Sequence, residues 1–116
     1  MIKPKALSSK QKGDKAEEKA RIYLRELGFE IIESNFYAGK LGEIDIIAKK
    51  DNIYHFIEVK SGVNFEPSQN LSPKKMQKIL KSVEFYLQSK NIENAFCVDA
   101  LLIKNNEIIF LENISL

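Results

Sequence analysis

The stretch Gly42-Glu43-Ile44-Asp45-Ile46-Ile47-Ala48, followed by Ile57-Glu58-Val59-Lys60, decides the fold of this chain. It belongs to two strand-like runs, residues 43–49 and 53–60, that flank the dipeptide Asp51-Asn52. Both turn residues tolerate the positive φ values of a tight turn, so the pattern predicts an antiparallel hairpin. A loop centred on Asp51-Asn52 pairs Lys50 with Ile53 and, further along the strands, Asp45 with Glu58 and Glu43 with Lys60.

The predicted register sets two carboxylates side by side. Directly opposed Cβ atoms lie roughly 4.5–5.5 Å apart, and opposed like charges destabilise a sheet. One explanation is a divalent cation such as Mg²⁺, which binds carboxylates, waters and phosphate oxygens and activates a water for attack on a phosphodiester. In that case Lys60 would orient the water or stabilise charge on the phosphate. The other explanation is a solvent-exposed charged face on which Lys60 relieves the repulsion between Asp45 and Glu58.

The rest of the chain predicts an α/β domain with the order α-β-β-β-α-β-β and a mixed central sheet flanked by two helices. A helix is expected over residues 9–27, with a capping pattern from Ser8 to Gln11 and Gly28 at its end. The second helix begins at Ser72-Pro73, with serine as N-cap and proline at the first helical position. Further strands are expected over residues 30–36, 95–103 and 108–113. Residues 61–71 lack periodicity and are expected to form a long loop.

Length and composition restrict the class of protein. The 116 residues suit one domain, with residues 1–7 as a basic N-terminal arm and 8–116 as the domain. The single cysteine excludes an intramolecular disulfide and a cysteine-rich zinc site, which favours a reducing, cytoplasmic setting. No signal peptide is visible, and no apolar stretch approaches the roughly 18 residues that span a bilayer, so no membrane partner is expected.

The charge is distributed unevenly along the chain. The net charge is only +2, but residues 1–15 carry five lysines against Asp14, and residues 72–90 carry five against Glu84. Two basic segments around an acidic middle suit a metal site framed by groups that attract phosphate. Lys12, Lys75 and Lys78 are therefore candidate DNA contacts, although a solvated helix face would carry the same lysines.

Asp45 and the tripeptide Glu58-Val59-Lys60 resemble the PD-(D/E)xK signature of the restriction-endonuclease-like nucleases. The wider arrangement is closer still to the uncharacterised YraN-like bacterial family, whose pattern has a glycine and a glutamate in the first helix, then G-E-I-D-L-I-A, then F-V-E-V-K, then a lysine-bearing helix. The matching positions here are Gly13 and Glu17, residues 42–48, residues 56–60, and Lys75 with Lys78. The resemblance covers about residues 12–113. Relatives commonly carry a basic residue shortly after the last lysine of F-V-E-V-K, whereas this chain has Ser61-Gly62-Val63, which puts one substrate contact in doubt.

The resemblance implies a restriction-endonuclease-like fold in which Asp45 and Glu58 hold Mg²⁺ or Mn²⁺, with the Val59 carbonyl as a further ligand. It also implies that Lys60 assists the attacking water, and that Glu17 reaches in from the first helix as in the related archaeal Holliday-junction resolvases. The resulting hypothesis is a metal-dependent endonuclease acting on structured DNA in repair or recombination. A homodimer would suit cleavage of both strands of a symmetric junction. The alternatives are a nucleic-acid-binding module with little or no catalysis and, third, a structural adaptor.

Four further residues are polar or reactive: two of them, Glu43 and Asp99, have two possible roles, and two, His55 and Cys97, are expected to be structural. Glu43 is either a partner of Lys60 just outside the metal site or part of that site. Asp99 interrupts an apolar strand and is either hydrogen-bonded near a sheet end or close to the site. His55 falls on the strand face opposite Glu58, which favours a structural role, and Cys97 is expected to pack in the core because nothing nearby would lower its pKa.

Overall fold

The computed structural model describes residues 9–62 and 72–114, and for residues 9–12 it describes the backbone alone. Several predictions therefore lie outside the described residues: the basic arm 1–7, the cap at Ser8, the side chain of Lys12, and the loop from residue 63 to residue 71. No helix within the described ranges is long and apolar enough to cross a bilayer.

The chain folds into two helices and five strands. These are α1 (Ser9–Glu26), β1 (Glu30–Tyr37), a short 3-10 turn (Gly39–Leu41), β2 (Glu43–Lys50), β3 (Ile53–Ser61), α2 (Pro73–Ser89), β4 (Phe96–Lys104) and β5 (Glu107–Leu111). The strands lie side by side in chain order, with β3 and β4 parallel and every other pair antiparallel. Helix α2 supplies the crossover that a parallel pair needs. The predicted order α-β-β-β-α-β-β and the mixed sheet are confirmed.

The end of α1 and the start of α2 lie at the cap residues that the sequence predicts, Gly28 and Ser72. Gly28 has a φ of 94°, and the amides of Phe29 and Gly28 donate to the carbonyls of Leu24 and Arg25, both at 3.0 Å. This is the Schellman pattern, which satisfies the last carbonyls of α1. At the start of α2, the Ser72 hydroxyl accepts a hydrogen bond of 3.3 Å from the Lys75 amide.

The two helices cover opposite faces of the sheet. The core under α1 contains Ala16, Ala20, Leu24, Phe29, Ile46, Ala48, Ile57, Leu101 and Ile103. The core under α2 contains Ile44, Ile47, Phe56, Ile79, Val83, Tyr86 and Val98. Both faces of β2, β3 and β4 are therefore buried, which explains why these strands read as nearly continuous apolar runs. A polar side chain inside this sheet needs a specific partner.

The predicted hairpin register is correct up to the point where the acidic residues begin. Asp51 and Asn52 have φ values of 51° and 65°, and the pairing runs from Lys50–Ile53 to Ile46–Ile57. The predicted backbone pairing of Asp45 with Glu58, and of Glu43 with Lys60, is wrong, because the β2–β3 ladder ends at the pair Ile46–Ile57. Asp45 Oδ2 instead accepts a hydrogen bond from the Val59 amide, with the nitrogen and the oxygen 2.8 Å apart. The side chain thus replaces a ladder acceptor, and β2 and β3 separate where their charged residues lie.

The last strand is shorter than predicted. It ends at Leu111, two residues before the expected end at residue 113. The Asn113 amide donates to the Asp99 carboxylate at 2.8 Å, and the Ile114 amide donates to the Val98 carbonyl at 2.7 Å. The chain therefore leaves the β4–β5 ladder because a buried side chain accepts its next amide.

Candidate metal centre

The acidic residues meet where β2 changes the face that it presents to the helices. Ile44 packs in the core under α2, whereas Ile46 packs under α1, although residues two apart in a regular strand share a face. Asp45 lies between them, at the change of face. Across from it in β1 is Asn35, which has a φ of 54°. Strands β1 and β2 are thus both irregular at the paired positions Asn35 and Asp45, beside the point where β2 and β3 separate.

Three carboxylates converge at this gap. Oxygen atoms of Glu17 from α1 and of Glu43 and Asp45 from β2 all lie within 4.8 Å of one another. Asn35 lies close enough to Glu17 to oppose the rise in the pKa of that carboxyl. Asn35 is not among the site residues that the sequence predicts. A signal was present, because asparagine inside an extended run is a residue that tolerates a left-handed backbone.

Glu58 approaches the same cluster from β3. Its side chain is only 8% exposed, and its Oε1 has no hydrogen-bond partner among the residues that the structure describes. Burial, and next the nearby charge of Asp45, raise the pKa of Glu58 to about 7. A buried carboxylate oxygen without a partner is costly, so this atom calls for a proton or a cation.

The other acids of the cluster are perturbed in the same direction. Burial and then the charge of Asp45 raise the pKa values of Glu17 and Glu43. Burial also raises the pKa of Asp45, although the Val59 amide and Lys60 oppose this shift. Each carboxylate is harder to ionise chiefly because it is buried, and for Glu17 and Glu43 also because Asp45 is negative, which is the situation that a bound divalent cation reverses.

The carboxylates that this sequence presents fit a hard divalent cation. Mg²⁺ and Mn²⁺ take oxygen ligands, and Glu17, Glu43, Asp45 and Glu58 offer carboxylate oxygens from three elements. The structure brings together the predicted Glu17, Asp45, Glu58 and Lys60, and it includes Glu43 in the cluster rather than outside it. Val59 contributes its amide to Asp45, and its carbonyl as a metal ligand stays a prediction.

Two lysines border the carboxylates on the side of α2. Lys60 lies close enough to lower the pKa values of Asp45 and Glu58, and Lys75 acts on both acids in the same way. The neighbouring side chain of Lys60, followed by burial, lowers the pKa of Lys75. Lys75 and Lys78 also line a cavity of about 150 Å³ together with Glu58. Both candidate phosphate contacts of α2 are therefore next to the carboxylates.

A second polar cluster lies on the other face of the sheet, under α1. Asp99 is fully buried, and its Oδ2 lies 2.7 Å from His55 Nδ1. Its Oδ1 accepts from the Asn113 amide at 2.8 Å and from the Cys97 thiol at 3.4 Å. Of the two interpretations of Asp99, the structure thus supports the hydrogen-bonded one near a sheet end.

This second cluster does not have the arrangement of a nucleophile relay. Such a relay needs the nucleophile and the carboxylate on opposite ring nitrogens of the histidine. Here Cys97 Sγ lies 3.0 Å from Nδ1 of His55, the same nitrogen that contacts Asp99, and 3.9 Å from Nε2. Burial and Asp99 raise the pKa of Cys97 to about 12, which keeps the thiol protonated and unreactive. The contacts of this cluster are hydrogen bonds that join β3, β4 and the segment after β5.

Sequence comparisons agree on one family. The sequence model of the uncharacterised protein family UPF0102 matches residues 16–103, which include α1 and the whole acidic cluster. A UPF0102 protein of Helicobacter hepaticus is 54% identical over 110 residues, covering 95% of this chain and 99% of the relative. UPF0102 proteins of Wolinella succinogenes and a Sulfurovum species are 53% and 50% identical, covering 93% and 90% of this chain and 99% and 93% of the relatives. These names state no activity.

Proposed function

The chain belongs to the uncharacterised protein family UPF0102, and from the geometry of its site we propose that it is a metal-dependent phosphodiesterase, endonuclease-like, acting on DNA. The observation that carries this proposal is Glu58 Oε1, a buried carboxylate oxygen with no partner among the described residues, beside an acidic cluster. A purely structural site would have satisfied this atom. The finer proposal is that the substrate is structured DNA in repair or recombination.

Glu17, Glu43, Asp45 and Glu58 are the residues that would hold Mg²⁺ or Mn²⁺. Such an ion, when bound, polarises a phosphodiester and lowers the pKa of a water so that it can attack at neutral pH. The protein positions Asp45 before any ion arrives, because its carboxylate accepts a hydrogen bond from the Val59 amide. Positions fixed in this way spare the reaction a reorganisation cost.

The lysines supply the opposite charge. The Lys60 ammonium is next to Asp45 and Glu58, from where it can donate a hydrogen bond to the attacking water or to a phosphate oxygen. Lys78, which is exposed on α2 and lines the cavity beside Glu58, would bind a phosphate of the DNA backbone. Lysine is a flexible point charge and suits contacts of this kind that carry no base information.

The proposal is tested by incubating the purified protein with linear, single-stranded, flap and four-way-junction DNAs in EDTA, Mg²⁺ or Mn²⁺. We expect cleavage of at least one DNA with metal and none with EDTA, and an Asp45→Asn variant should be inactive. Absence of cleavage by the wild type under every metal would reject the proposal, as would equal cleavage by the variant. Salt-dependent DNA affinity without metal-dependent cleavage would instead support the nucleic-acid-binding module.

A further inference from the structure

The charged groups of the site form an acidic and a basic cluster that adjoin each other. The carboxylates of Glu17, Glu43 and Asp45 lie within 4.8 Å of one another, and Lys75 of α2 lies beside Lys60 and lines a cavity with Glu43 and Glu58. Two neighbouring ammonium groups repel each other, just as the carboxylates do. The crowded acids suit a cation, and by the same reasoning the paired lysines suit an anion between or beside them.

The fold holds Lys75 in this position. Its amide is bound by the Ser72 hydroxyl at 3.3 Å, so the first turn of α2 is fixed at the residue that carries the side chain. The side chain lines the cavity of about 150 Å³ next to Glu58 and Gly42. Gly42 has a φ of 125°, and its missing side chain leaves the backbone open on this wall of the cavity. The space beside Lys75 therefore adjoins both the buried acid and an accessible backbone segment.

We propose that Lys75 is a second catalytic lysine of this site, and that its ammonium group contacts the phosphate under attack from the side of α2. This inference rests on the proposed function and extends it. Lys75 acts as a hydrogen-bond donor and transfers no proton: its ammonium group donates to a non-bridging phosphate oxygen whose negative charge grows in the transition state. Lys60, which also lies close to Asp45 and Glu58, remains free to act on the water.

The alternative role for Lys75 is a peripheral contact that only increases affinity for DNA. A contact made equally in ground state and transition state changes KM and leaves kcat unaltered. The two roles are therefore separated by measuring single-turnover cleavage at saturating protein and, in parallel, equilibrium binding of the same oligonucleotide with Ca²⁺ replacing Mg²⁺.

The test compares Lys75→Gln, Lys75→Arg and the control Lys90→Gln, which removes the same charge from the far end of α2. We expect Lys75→Gln to lower the saturated cleavage rate by about 10²–10³-fold, the scale of one transition-state donor, with a much smaller loss of binding. Lys75→Arg keeps the charge and should restore part of the rate, and Lys90→Gln should cleave like the wild type.

The outcomes are distinct. A saturated rate that is unchanged in Lys75→Gln, with or without weaker binding, overturns the inference while the proposed function stands. An equal loss in Lys90→Gln overturns it as well, because the effect would then be general electrostatics. If the wild type cleaves no DNA with any metal, the proposed function itself fails, and the catalytic role of Lys75 fails with it.

Discussion

Two carboxylates buried in the same sheet have opposite surroundings. Asp99, under α1, accepts hydrogen bonds from an amide and a thiol and contacts an imidazole nitrogen, so its oxygens are satisfied. Glu58, on the other face, is 8% exposed, has a buried oxygen without a described partner, and is close to Asp45. The first arrangement stabilises the fold, whereas the second costs stability, and the proposed metal would offset this cost. Burial alone therefore does not single out a candidate functional acid, whereas burial without a hydrogen-bond partner does.

Replacing one acid from each cluster should give the largest contrast. Asp45→Asn keeps an acceptor for the Val59 amide but removes a charge from the cluster. We expect metal-dependent cleavage to fall on the order of 10³-fold, because a group that acts on developing charge is lost. Urea unfolding at pH 8 should show no loss of stability. A variant that is inactive because it is unfolded would break the comparison.

Asp99→Ala should have the opposite effect. It leaves the His55 ring nitrogen and the Asn113 amide without their buried partner. Unsatisfied buried groups cost about 1–3 kcal/mol each, so we expect the free energy of unfolding to fall by about 2–4 kcal/mol. Metal-dependent cleavage should persist wherever the variant is folded. Asp14→Ala, at an exposed position of α1, is the matched control and should unfold like the wild type.

The pH dependence of stability tests the Glu58 half of the comparison. An unfolded glutamate loses its proton near 4.5, whereas Glu58 in the folded protein keeps it up to a pKa of about 7. Between these values the folded state binds more protons, so the contribution of Glu58 to stability is greatest below pH 4.5 and is lost as the pH rises through 7. For the metal-free protein we expect this group to account for a loss of about 3 kcal/mol, measured by urea unfolding in EDTA.

Glu58→Gln is the control for this pH dependence, because an amide does not ionise. The variant should show a flatter profile between pH 4.5 and 7 and should exceed the wild type in stability at pH 8. The raised pKa values of Glu17, Glu43 and Asp45 act in the same direction and leave a residual slope. If the wild type and the variant have the same dependence of stability on pH, the raised pKa of Glu58 is contradicted.

Added metal should give the smallest effect. A ligand that binds only the folded protein stabilises it by about 1.4 kcal/mol at ten times its Kd. We therefore expect Mg²⁺ or Mn²⁺ to raise the unfolding temperature of the wild type and of Asp99→Ala, measured by differential scanning fluorimetry. Asp45→Asn should show little of this increase. An increase of the same size in Asp45→Asn would mean that the ions bind elsewhere.

Much of the fold was predictable because its signals are local. Gly28 ends α1, Ser72 caps α2, and Asp51-Asn52 forms the turn that sets the register of β2 and β3. Each of these depends on the conformational preference of one or two residues. The separation of the strands at Asp45 was not predictable in this way, because a side chain took the Val59 amide that the backbone pattern assigned to the ladder.

The candidate site was predictable in part. The hairpin pattern and the family resemblance pointed to Asp45, Glu58 and Lys60, whereas Glu17 depended on the resemblance. Asn35 and the place of Lys75 beside Lys60 depend on contacts between elements that are distant in sequence. No periodicity within one strand or helix contains such information, since it records only which face a residue shares.

The sequence by itself determined which residues carry charge, where the helices end and which way the central hairpin pairs, because these depend on local backbone preferences and on the alternation of side chains. Only the tertiary structure decided which buried acid is satisfied. Asp99 finds its partners in β3 and after β5, whereas Glu58 meets another acid across the opening between β2 and β3. The physical reason is that desolvation and hydrogen-bond satisfaction are set by neighbours from distant parts of the chain, and these exist only once the sheet and both helices are packed.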